Sequence, residues 1–281
     1  MTQPFILLHC AVLLFALCAL FGKWLDLPAL YIVLGRSFFA AAAIFLFCQF
    51  TQQSLKLNTR SKYMPLLISG ILLALHWWSF FHCIRNSSVT LGLLTFACFP
   101  VFVTLFEPVY FKQKLQIKTL VSSLICLLGL IIIFVDGSIE YSITSLVSGL
   151  LSAISFAALT LFNKKFIENT PALQISFYQN LVAAFILAPG LLYYQLTPEF
   201  NELLLLILLG VVFTALAHTL LVYSLRYLSA GSASIALNLE PVYGVIAAML
   251  IFSEPVTINI VTGAAIILLT NMWVMRTAKS A

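Results

Sequence analysis

The chain has 281 residues, of which 62% are hydrophobic and only 8% are charged, and its mean hydropathy is +1.09. Soluble domains carry about a quarter charged residues, so this composition excludes a water-soluble protein and predicts one embedded in a lipid bilayer. The net charge of +5 does not indicate a nucleic-acid partner, because the basic residues fall in connections between apolar segments, where membrane topology places them.

A helix of about 20 apolar residues crosses a bilayer. Ten such segments are predicted, at residues 4–22, 28–50, 64–84, 89–111, 116–135, 143–163, 172–194, 203–225, 231–252 and 256–275. The first segment has no basic region before it and no small-residue cleavage site, so we read it as an uncleaved span. The sequence therefore predicts an all-α integral membrane protein with ten transmembrane helices and no soluble domain.

The lysines and arginines indicate which ends of the spans face the cytoplasm. With both termini in the cytoplasm, the connections on that side hold every basic residue outside the spans except Lys23 and Arg85. The expected location is the cell (inner) membrane, as a multi-pass protein. Six cysteines lie in or beside apolar segments without a CxxC pair, which predicts free thiols and no metal site.

The chain repeats itself at an offset of 141 residues, although the first copy is degraded. This offset aligns Arg226 with Arg85 and Pro241 with Pro100, and a gap of two then aligns Gln179 with Arg36. The predicted repeats are residues 4–135, with helices 1–5, and residues 143–276, with helices 6–10. Five spans are an odd number, so the two repeats enter the membrane from opposite faces, an arrangement typical of secondary transporters.

The second repeat carries three recognisable motifs: LRYLSAGSA at residues 225–233, LEPV at 239–242 and Ser253-Glu254. These motifs resemble the drug/metabolite transporter superfamily, and specifically its EamA-type members, although Ser253 stands where the family commonly has glycine. In the first repeat Gln113 stands where the glutamate would be. The resemblance implies a ten-helix bundle with an internal cavity that exports or takes up small metabolites by alternating access.

Charged residues inside predicted spans are costly, at about 2.5–3.5 kcal/mol each on insertion scales, and they usually have a role. Arg36 is either a cavity cation for a carboxylate or phosphate or the partner of an acidic residue or helix end. Glu240 stands beside Pro241, which bends a helix, and is either a proton or cation site or the partner of Lys164 or Lys165. For Glu107, nearer a span end, we expect a partner in Lys112 or Lys114.

Two histidines, His76 and His218, lie one residue apart in the register of the repeats. Each is either a group that couples transport to protons or a hydrogen-bonded core residue. Trp77 and Trp78 follow His76 in mid-span and favour an aromatic cavity wall. Polar groups within spans must face protein or a water-filled path, which adds candidates that could contact a solute: Asn163, Gln179, Asn180, Tyr223, Ser234, Asn238 and Pro241.

The predicted function is a secondary transporter of a small organic metabolite, an amino acid or related solute, working as an exporter. The alternative is an importer or facilitator of a nucleotide-derived or S-adenosylmethionine-like solute. An intramembrane enzyme is less favoured because the sequence has no HExxH or GxSxG motif. The absence of P-loop and GxGxxG motifs predicts no cofactor and no ATP coupling. Two repeats in one chain make a monomer sufficient, and a dimer is compatible with the sequence.

Overall fold

The computed structural model describes residues 2–112, 142–194, 196–237 and 239–278, together with single positions and pairs between 113 and 141. Helices account for 82% of the structure, and within these described ranges no strand occurs. The predicted fifth span, residues 116–135, falls for the most part outside the described residues. The all-helical fold class predicted from composition is therefore confirmed.

The described helices follow one another along nearly the whole chain. In order they are α1 (Thr2–Cys18), α2 (Phe21–Trp24), α3 (Ala29–Phe50), α4 (Tyr63–Arg85), α5 (Val89–Phe96), α6 (Phe99–Tyr110), α7 (Ile143–Phe166), α8 (Ala172–Leu187), α9 (Leu191–Tyr194), α10 (Phe200–Gly210), α11 (Ala217–Ser224), α12 (Ala230–Leu237), α13 (Glu240–Phe252) and α14 (Ile258–Ala278). A π-helical turn, Val211–Leu216, joins α10 to α11, and short 3-10 turns occur at Arg60–Lys62 and Ala188–Gly190.

Seven helical stretches of the described chain are long and apolar enough to cross a membrane: Ile6–Trp24, Ala29–Phe50, Tyr63–Arg85, Val89–Tyr110, Ile143–Phe166, Ala172–Tyr194 and Phe200–Ser224. They coincide with predicted spans 1–4 and 6–8. The predicted ninth and tenth spans contain shorter apolar helices, Glu240–Phe252 and Ile258–Thr270. A multi-pass membrane protein is thereby supported, whereas the count of ten spans and the orientation of the termini stay predictions.

Two of the predicted spans are interrupted near their middle. In the fourth, α5 gives way to α6 at residues 97–98, and the corresponding break in the ninth separates α12 from α13. Pro100 and Pro241 lie in the first turn of the new helix, where their missing N–H costs little. Since the start of a helix carries a partial positive charge, each break places such a charge inside the bundle.

The packing of the helices follows the repeat. α4 and α6 of the first half pack on α7 of the second half. In the equivalent arrangement, α11 and α13 of the second half pack on α1 of the first half. α3 and α8 are repeat mates that contact each other directly. These main helix pairs correspond between the two predicted halves, so the described helices meet along an interface to which both halves contribute.

Candidate functional site

A small cavity lies where the two breaks meet the long helices. Its volume is about 20 Å³, which suffices for about one water molecule. A metabolite therefore enters this region only when the helices separate. The lining is aromatic apart from a thiol, a histidine and two chargeable groups: Phe15, Cys18, Arg36, His76, Trp77, Phe80, Phe96, Phe156 and Glu240.

Arg36 of α3 is the largest fully buried side chain, with 0% of its surface exposed. Its Nε donates to Thr214 Oγ1 at 2.9 Å, and its Nη2 reaches the Phe213 carbonyl oxygen at 3.5 Å. The guanidinium carbon lies 3.7 Å from the centroid of the Trp77 ring, a cation–π contact. The third nitrogen, Nη1, is buried without a hydrogen-bond partner. The centroid of the Phe81 ring lies 5.3 Å from the guanidinium carbon and Cys18 interacts with the guanidinium electrostatically, so Nη1 keeps a free donor in an otherwise well-packed group.

The π-helical turn Val211–Leu216, which follows α10, contains both acceptors of Arg36: the Thr214 hydroxyl and the Phe213 carbonyl oxygen. Thr214 Oγ1 donates to the Leu209 carbonyl oxygen, five residues back, at 2.7 Å. A π turn widens the helix and displaces backbone carbonyls from the regular ladder, and such turns are frequent at functional sites. Gly210 precedes the turn, and a Cβ there would lie 3.0 Å from the Arg36 carbonyl oxygen. The glycine therefore lets α3 approach closely enough for Arg36 to reach Thr214.

Glu240 is the first residue of α13 and is 5% exposed. It lines the same cavity as Arg36 and interacts with it electrostatically, but the guanidinium nitrogens and carboxylate oxygens are more than 4.0 Å apart and form no ion pair. No hydrogen bond to the Glu240 carboxylate is found among the described residues. Its place at a helix start is electrostatically favourable for a carboxylate.

The basic residues predicted as partners of buried carboxylates lie elsewhere. Lys164 donates to the Leu225 carbonyl oxygen at 2.9 Å and interacts electrostatically with Glu107. Lys165 lies 5.2 Å from the centroid of the Tyr110 ring. The structure therefore brings Lys164, rather than Lys112 or Lys114, to Glu107, and it leaves Glu240 facing the cavity without either lysine.

A chain of hydrogen bonds lies beside the cavity. Gln179 Nε2 donates to Asn163 Oδ1 at 2.6 Å, and the other end of the same amide, Oε1, lies 2.8 Å from His218 Nε2. Because an amide oxygen only accepts, His218 Nε2 carries the proton. His218 Nδ1 is buried without a partner, and the ring meets Trp77 edge-on at 5.9 Å. The Trp77 ring thus lies between these hydrogen-bonded side chains and the guanidinium of Arg36.

His76 lines the cavity itself. Its Nδ1 lies 3.0 Å from the Ser152 carbonyl oxygen and 2.9 Å from Ser152 Oγ. A carbonyl oxygen only accepts, so Nδ1 is the protonated nitrogen and Nε2 holds the lone pair. The ring packs 4.5 Å from Phe156 and 5.3 Å from Phe96. Ser152 of the second half therefore fixes the tautomer of His76 across the interface, whereas His218 is fixed by Gln179 of its own half.

The remaining predicted residues are scattered. Trp78 stacks on His82 outside the cavity lining, and Ser234 bonds the Gly231 carbonyl oxygen within its own helix. Asn180 bonds the Ser176 carbonyl oxygen and leaves its own Oδ1 unpartnered. Tyr223 lies near Tyr227 at an end of the bundle. Pro241 lies in the first turn of α13 beside Glu240. Asn238 lies outside the described residues.

The sequence did not single out Cys18, Thr214 or the cavity residues Phe15, Phe96 and Phe156, whereas Phe80 belongs to the aromatic run after His76 that was predicted as a cavity wall. A threonine or cysteine in an apolar helix has many equivalents in this chain, and only the fold separates Thr214 from the others. The repeat aligns Phe99 with Glu240, so it indicates that the segment around Phe99, which includes Phe96, lies near the site. The three-dimensional interface was needed for the rest.

One end of the bundle, at the turn between α4 and α5, is called the Arg85 end. There Arg85 donates to the Leu25 carbonyl oxygen at 2.9 Å and pairs with Asp26 at 3.0 Å. Lys23 Nζ donates to the Ser87 carbonyl oxygen at 2.7 Å. These basic side chains close the ends of their helices by binding backbone carbonyls of neighbouring loops.

Glu254 links the two halves at the Arg85 end. Its carboxylate accepts hydrogen bonds from the backbone N–H of Val89 at 2.9 Å, the N–H of Thr90 at 3.0 Å and the Thr90 hydroxyl at 2.6 Å. A carboxylate that caps the start of a helix is a favourable arrangement. Ser253, just before it, has φ 54°, in the left-handed region where glycine is favoured. A glycine at this position would adopt the same turn without the steric cost of a side chain.

The opposite end, at the turn between α11 and α12, is called the Arg226 end. Arg226 donates to the Ile167 carbonyl oxygen at 3.1 Å, as Arg85 does to Leu25. Lys62 Nζ donates to the Asn169 carbonyl oxygen at 2.6 Å and so joins the two halves. The repeat counterpart of Glu254 is position 113, outside the described residues. Hydrogen bonds between the halves thus bridge both ends of the bundle.

Comparison with known proteins identifies the family to which this architecture belongs. The EamA-like transporter family matches residues 3–135 and 143–276. An S-adenosylmethionine uptake transporter of Rickettsia bellii is 26% identical over 76% of this chain and 73% of its own length. A biotin transporter of Salmonella typhimurium is 28% identical over 92% and 88%. A solved crystal structure with 14% identity superposes with a TM-score of 0.75 and covers 99% of this chain and 97% of its own. The chain belongs to the EamA-like transporter family.

Proposed function

We propose that this protein is a secondary transporter that moves a small organic metabolite across the membrane by alternating access. The site lies in the cavity between two inverted five-helix repeats. The observation that carries the proposal is the pair Arg36 and Glu240, two buried chargeable groups from different halves that face one cavity without pairing. Such groups in a membrane are costly and mark the paths of solutes and ions.

The packing of the helices supports an inverted repeat. The pairs α4 with α7 and α6 with α7 have counterparts in α11 with α1 and α13 with α1, and the broken helices stand at equivalent positions. Transporters built in this way place the solute at the repeat interface, where half-helices begin. Seven described helices that are able to cross a membrane and the family match favour a multi-pass protein of the inner membrane.

The bridges at the two ends suggest how access alternates. Glu254 joins the halves at the Arg85 end, and Lys62 joins them at the Arg226 end. Rocking one half against the other breaks one set of bonds while the other persists, and this opens the cavity to one side at a time. Two fused halves make a monomer sufficient for this motion.

Export is the direction that we predicted from the sequence, and uptake is the alternative. The name of the Rickettsia relative, an S-adenosylmethionine uptake transporter, favours uptake, and the biotin transporter of Salmonella typhimurium widens the range of solutes. Both compounds are small organic metabolites with a carboxylate. An amino acid or a related solute is the substrate class that agrees best with a buried arginine and a buried glutamate in one cavity.

Proton coupling is the energy source that we favour. His218 is fully buried, holds one proton at Nε2 through Gln179 and leaves Nδ1 without a partner. Burial disfavours the imidazolium, so we propose that Nδ1 takes up a second proton only when rocking of the halves opens the interface to water. In proteoliposomes, His218→Gln should remove the stimulation of uptake by an imposed pH gradient while exchange of solute persists. Equal stimulation of the variant and the wild type would remove His218 from the coupling.

The proposed function is tested by solute uptake into proteoliposomes that contain the purified protein. A pool of radiolabelled amino acids, S-adenosylmethionine, biotin, nucleosides and organic cations is offered to wild type, Arg36→Gln and Glu240→Gln. Wild type should take up at least one solute, and both variants should lose that uptake. Arg60→Gln and Glu168→Gln, which alter exposed side chains, serve as matched controls and should transport normally. No uptake of any solute by folded wild type would contradict the proposal.

A further inference from the structure

We infer that the cavity selects solutes whose head group carries a carboxylate and an ammonium group together, with Arg36 contacting the carboxylate and Glu240 the ammonium. The inference rests on the proposed function, because it assigns the substrate class of the same site. It adds which residue reads which charge, and it predicts that solutes with only one of the two charges are rejected.

The arginine is prepared to bind a carboxylate. Thr214 holds Nε and the Trp77 ring holds the face of the guanidinium, so its orientation is fixed before a solute arrives. Nη1 is buried without a partner, and Nη2 has only a long contact of 3.5 Å. A buried donor without a partner is unfavourable, and a carboxylate that accepts from both terminal nitrogens removes that cost. Arginine is better suited than lysine to such two-point binding.

The glutamate is prepared to bind an ammonium group. Its carboxylate is buried at the cavity and receives no hydrogen bond from the described residues, and Lys164 and Lys165 are engaged elsewhere. An ionised carboxylate only accepts hydrogen bonds, and an ammonium group offers three donors. An ammonium group in the cavity would therefore supply the partner that the protein does not.

The distance between the two side chains favours a solute with both charges. The charged atoms of Arg36 and Glu240 are more than 4.0 Å apart across a cavity of about 20 Å³, so a gap that admits a head group forms between them only when the helices separate. A solute with a carboxylate and an ammonium group enters that gap as a neutral unit and completes two ion pairs. A solute with one charge leaves the buried site with a net charge, which is strongly unfavourable in a medium of low polarity.

The remainder of the solute would face aromatic rings. Trp77, Phe80, Phe96 and Phe156 surround the two charged groups and offer apolar surface and ring faces. Such a wall accepts apolar groups and also organic cations, which are attracted to ring faces. A phosphate is disfavoured, because its two negative charges would lie close to the Glu240 carboxylate.

The test measures binding of matched compounds to the purified protein in lipid nanodiscs. Each set contains an amino acid, the amine that lacks its carboxylate and the acid that lacks its ammonium group. One set is L-phenylalanine, phenethylamine and 3-phenylpropionate; a second is L-methionine with its corresponding amine and acid. S-adenosylmethionine, which has both head-group charges, and biotin, which has only the carboxylate, are added as single probes.

At least one compound with both charges should bind about tenfold or more tightly than either analogue, because losing a buried charge partner has about that effect. Arg36→Gln should bring the affinity of the amino acid down to that of its amine. Glu240→Gln should bring it down to that of its acid. Arg60→Gln and Glu168→Gln should leave the order of affinities unchanged. A merely structural role of Arg36 or Glu240 would lower the affinities of all three compounds together.

The inference is overturned if an amine, an acid or biotin binds as tightly as the compounds with both charges. It is also overturned if no compound with both charges binds while another solute of the pool is transported, an outcome that leaves the proposed function intact. If Arg36→Gln or Glu240→Gln fails to fold, the wild-type order of affinities within each set still decides.

Discussion

At the scale of single residues, the feature that bears most on function is that Nη1 of the buried Arg36 guanidinium has no hydrogen-bond partner. Thr214 and Trp77 fix the guanidinium, while Nη1 keeps its hydrogen-bonding capacity unused. An unpartnered donor is more costly on a charged group than on the serine and threonine hydroxyls that are also buried without partners in this structure. The hydroxyl of Thr214 is therefore important for more than the π turn, because it orients the group that faces the cavity.

Replacement of this threonine by a residue of the same shape separates the two roles. Thr214→Val removes the acceptor of Arg36 Nε and leaves a buried charged donor without a partner, which should destabilise the protein by about 1–3 kcal/mol. We expect a lower Tm in detergent and weaker solute binding. Thr160→Val is the matched control, because Thr160 is also buried but bonds only the Phe156 carbonyl oxygen of its own helix. Equal loss of binding in both variants would contradict the positioning role of Thr214.

Ser253 gives a second prediction at the residue scale. Its φ of 54° costs a residue with a side chain about 1–2 kcal/mol relative to a right-handed conformation, and glycine avoids that cost. Ser253→Gly should therefore raise Tm, by about 2–4 °C for each kcal/mol gained. Ser253→Ala keeps the unfavourable conformation and serves as the control. A Tm of Ser253→Gly at or below that of Ser253→Ala would show that the left-handed turn is not retained.

The sequence was most informative about residues of a kind that is rare in a membrane. Arg36 and Glu240 stood out because charges inside apolar segments are exceptional, and both line the cavity. Thr214 did not stand out, because many threonines and serines of this chain bond carbonyl oxygens of their own helices. Its importance depends on a contact with a residue 178 positions away, which no local pattern reveals.

At the scale of elements, the broken helices and the π turn differ in how visible they are in the sequence. The break before α13 follows from Pro241 and that before α6 from Pro100, since proline is disfavoured inside a helix. The π turn Val211–Leu216 contains neither proline nor glycine. Its cause is the bond from Thr214 to the Leu209 carbonyl oxygen together with the contact to Arg36, so it arises from packing between the halves.

The helix cap formed by Glu254 carries a prediction about access to the cavity. Glu254→Gln weakens a bond between the halves at the Arg85 end, so this end should open more often. Ser145 is fully buried there and donates to the Asn86 carbonyl oxygen, which makes Ser145→Cys a reporter of opening. In a background without other cysteines, a membrane-impermeant maleimide should label this cysteine faster in Glu254→Gln than in the parent.

Glu202→Gln is the matched control for that experiment. Glu202 also bonds a backbone N–H, that of Glu199, but both residues belong to the start of α10, so the bond does not join the halves. Labelling of the reporter should stay at the parental rate in this variant. If Glu254→Gln labels no faster than Glu202→Gln, Glu254 does not hold the Arg85 end closed.

At the scale of the whole molecule, the two halves share a fold but not their charges. Lys23 and Lys164, and likewise Arg85 and Arg226, are related by the repeat and bind loop carbonyls in similar ways at opposite ends. In the cavity the symmetry is lost, because Arg36 aligns with Gln179 and Glu240 with Phe99. In the proposed mechanism, the repeat accounts for the motion, and the differences between the halves account for a polar site with one charge from each half.

The most direct test of the account is trans-stimulation in proteoliposomes. The solute identified from the pool is loaded inside without label, and the uptake of labelled solute from outside is compared with that of vesicles loaded with buffer. A carrier that exposes one site alternately to each side predicts saturable uptake, faster in the loaded vesicles and lost in Glu240→Gln. Uptake that rises linearly with concentration and is unaffected by internal solute would contradict alternating access and indicate a channel.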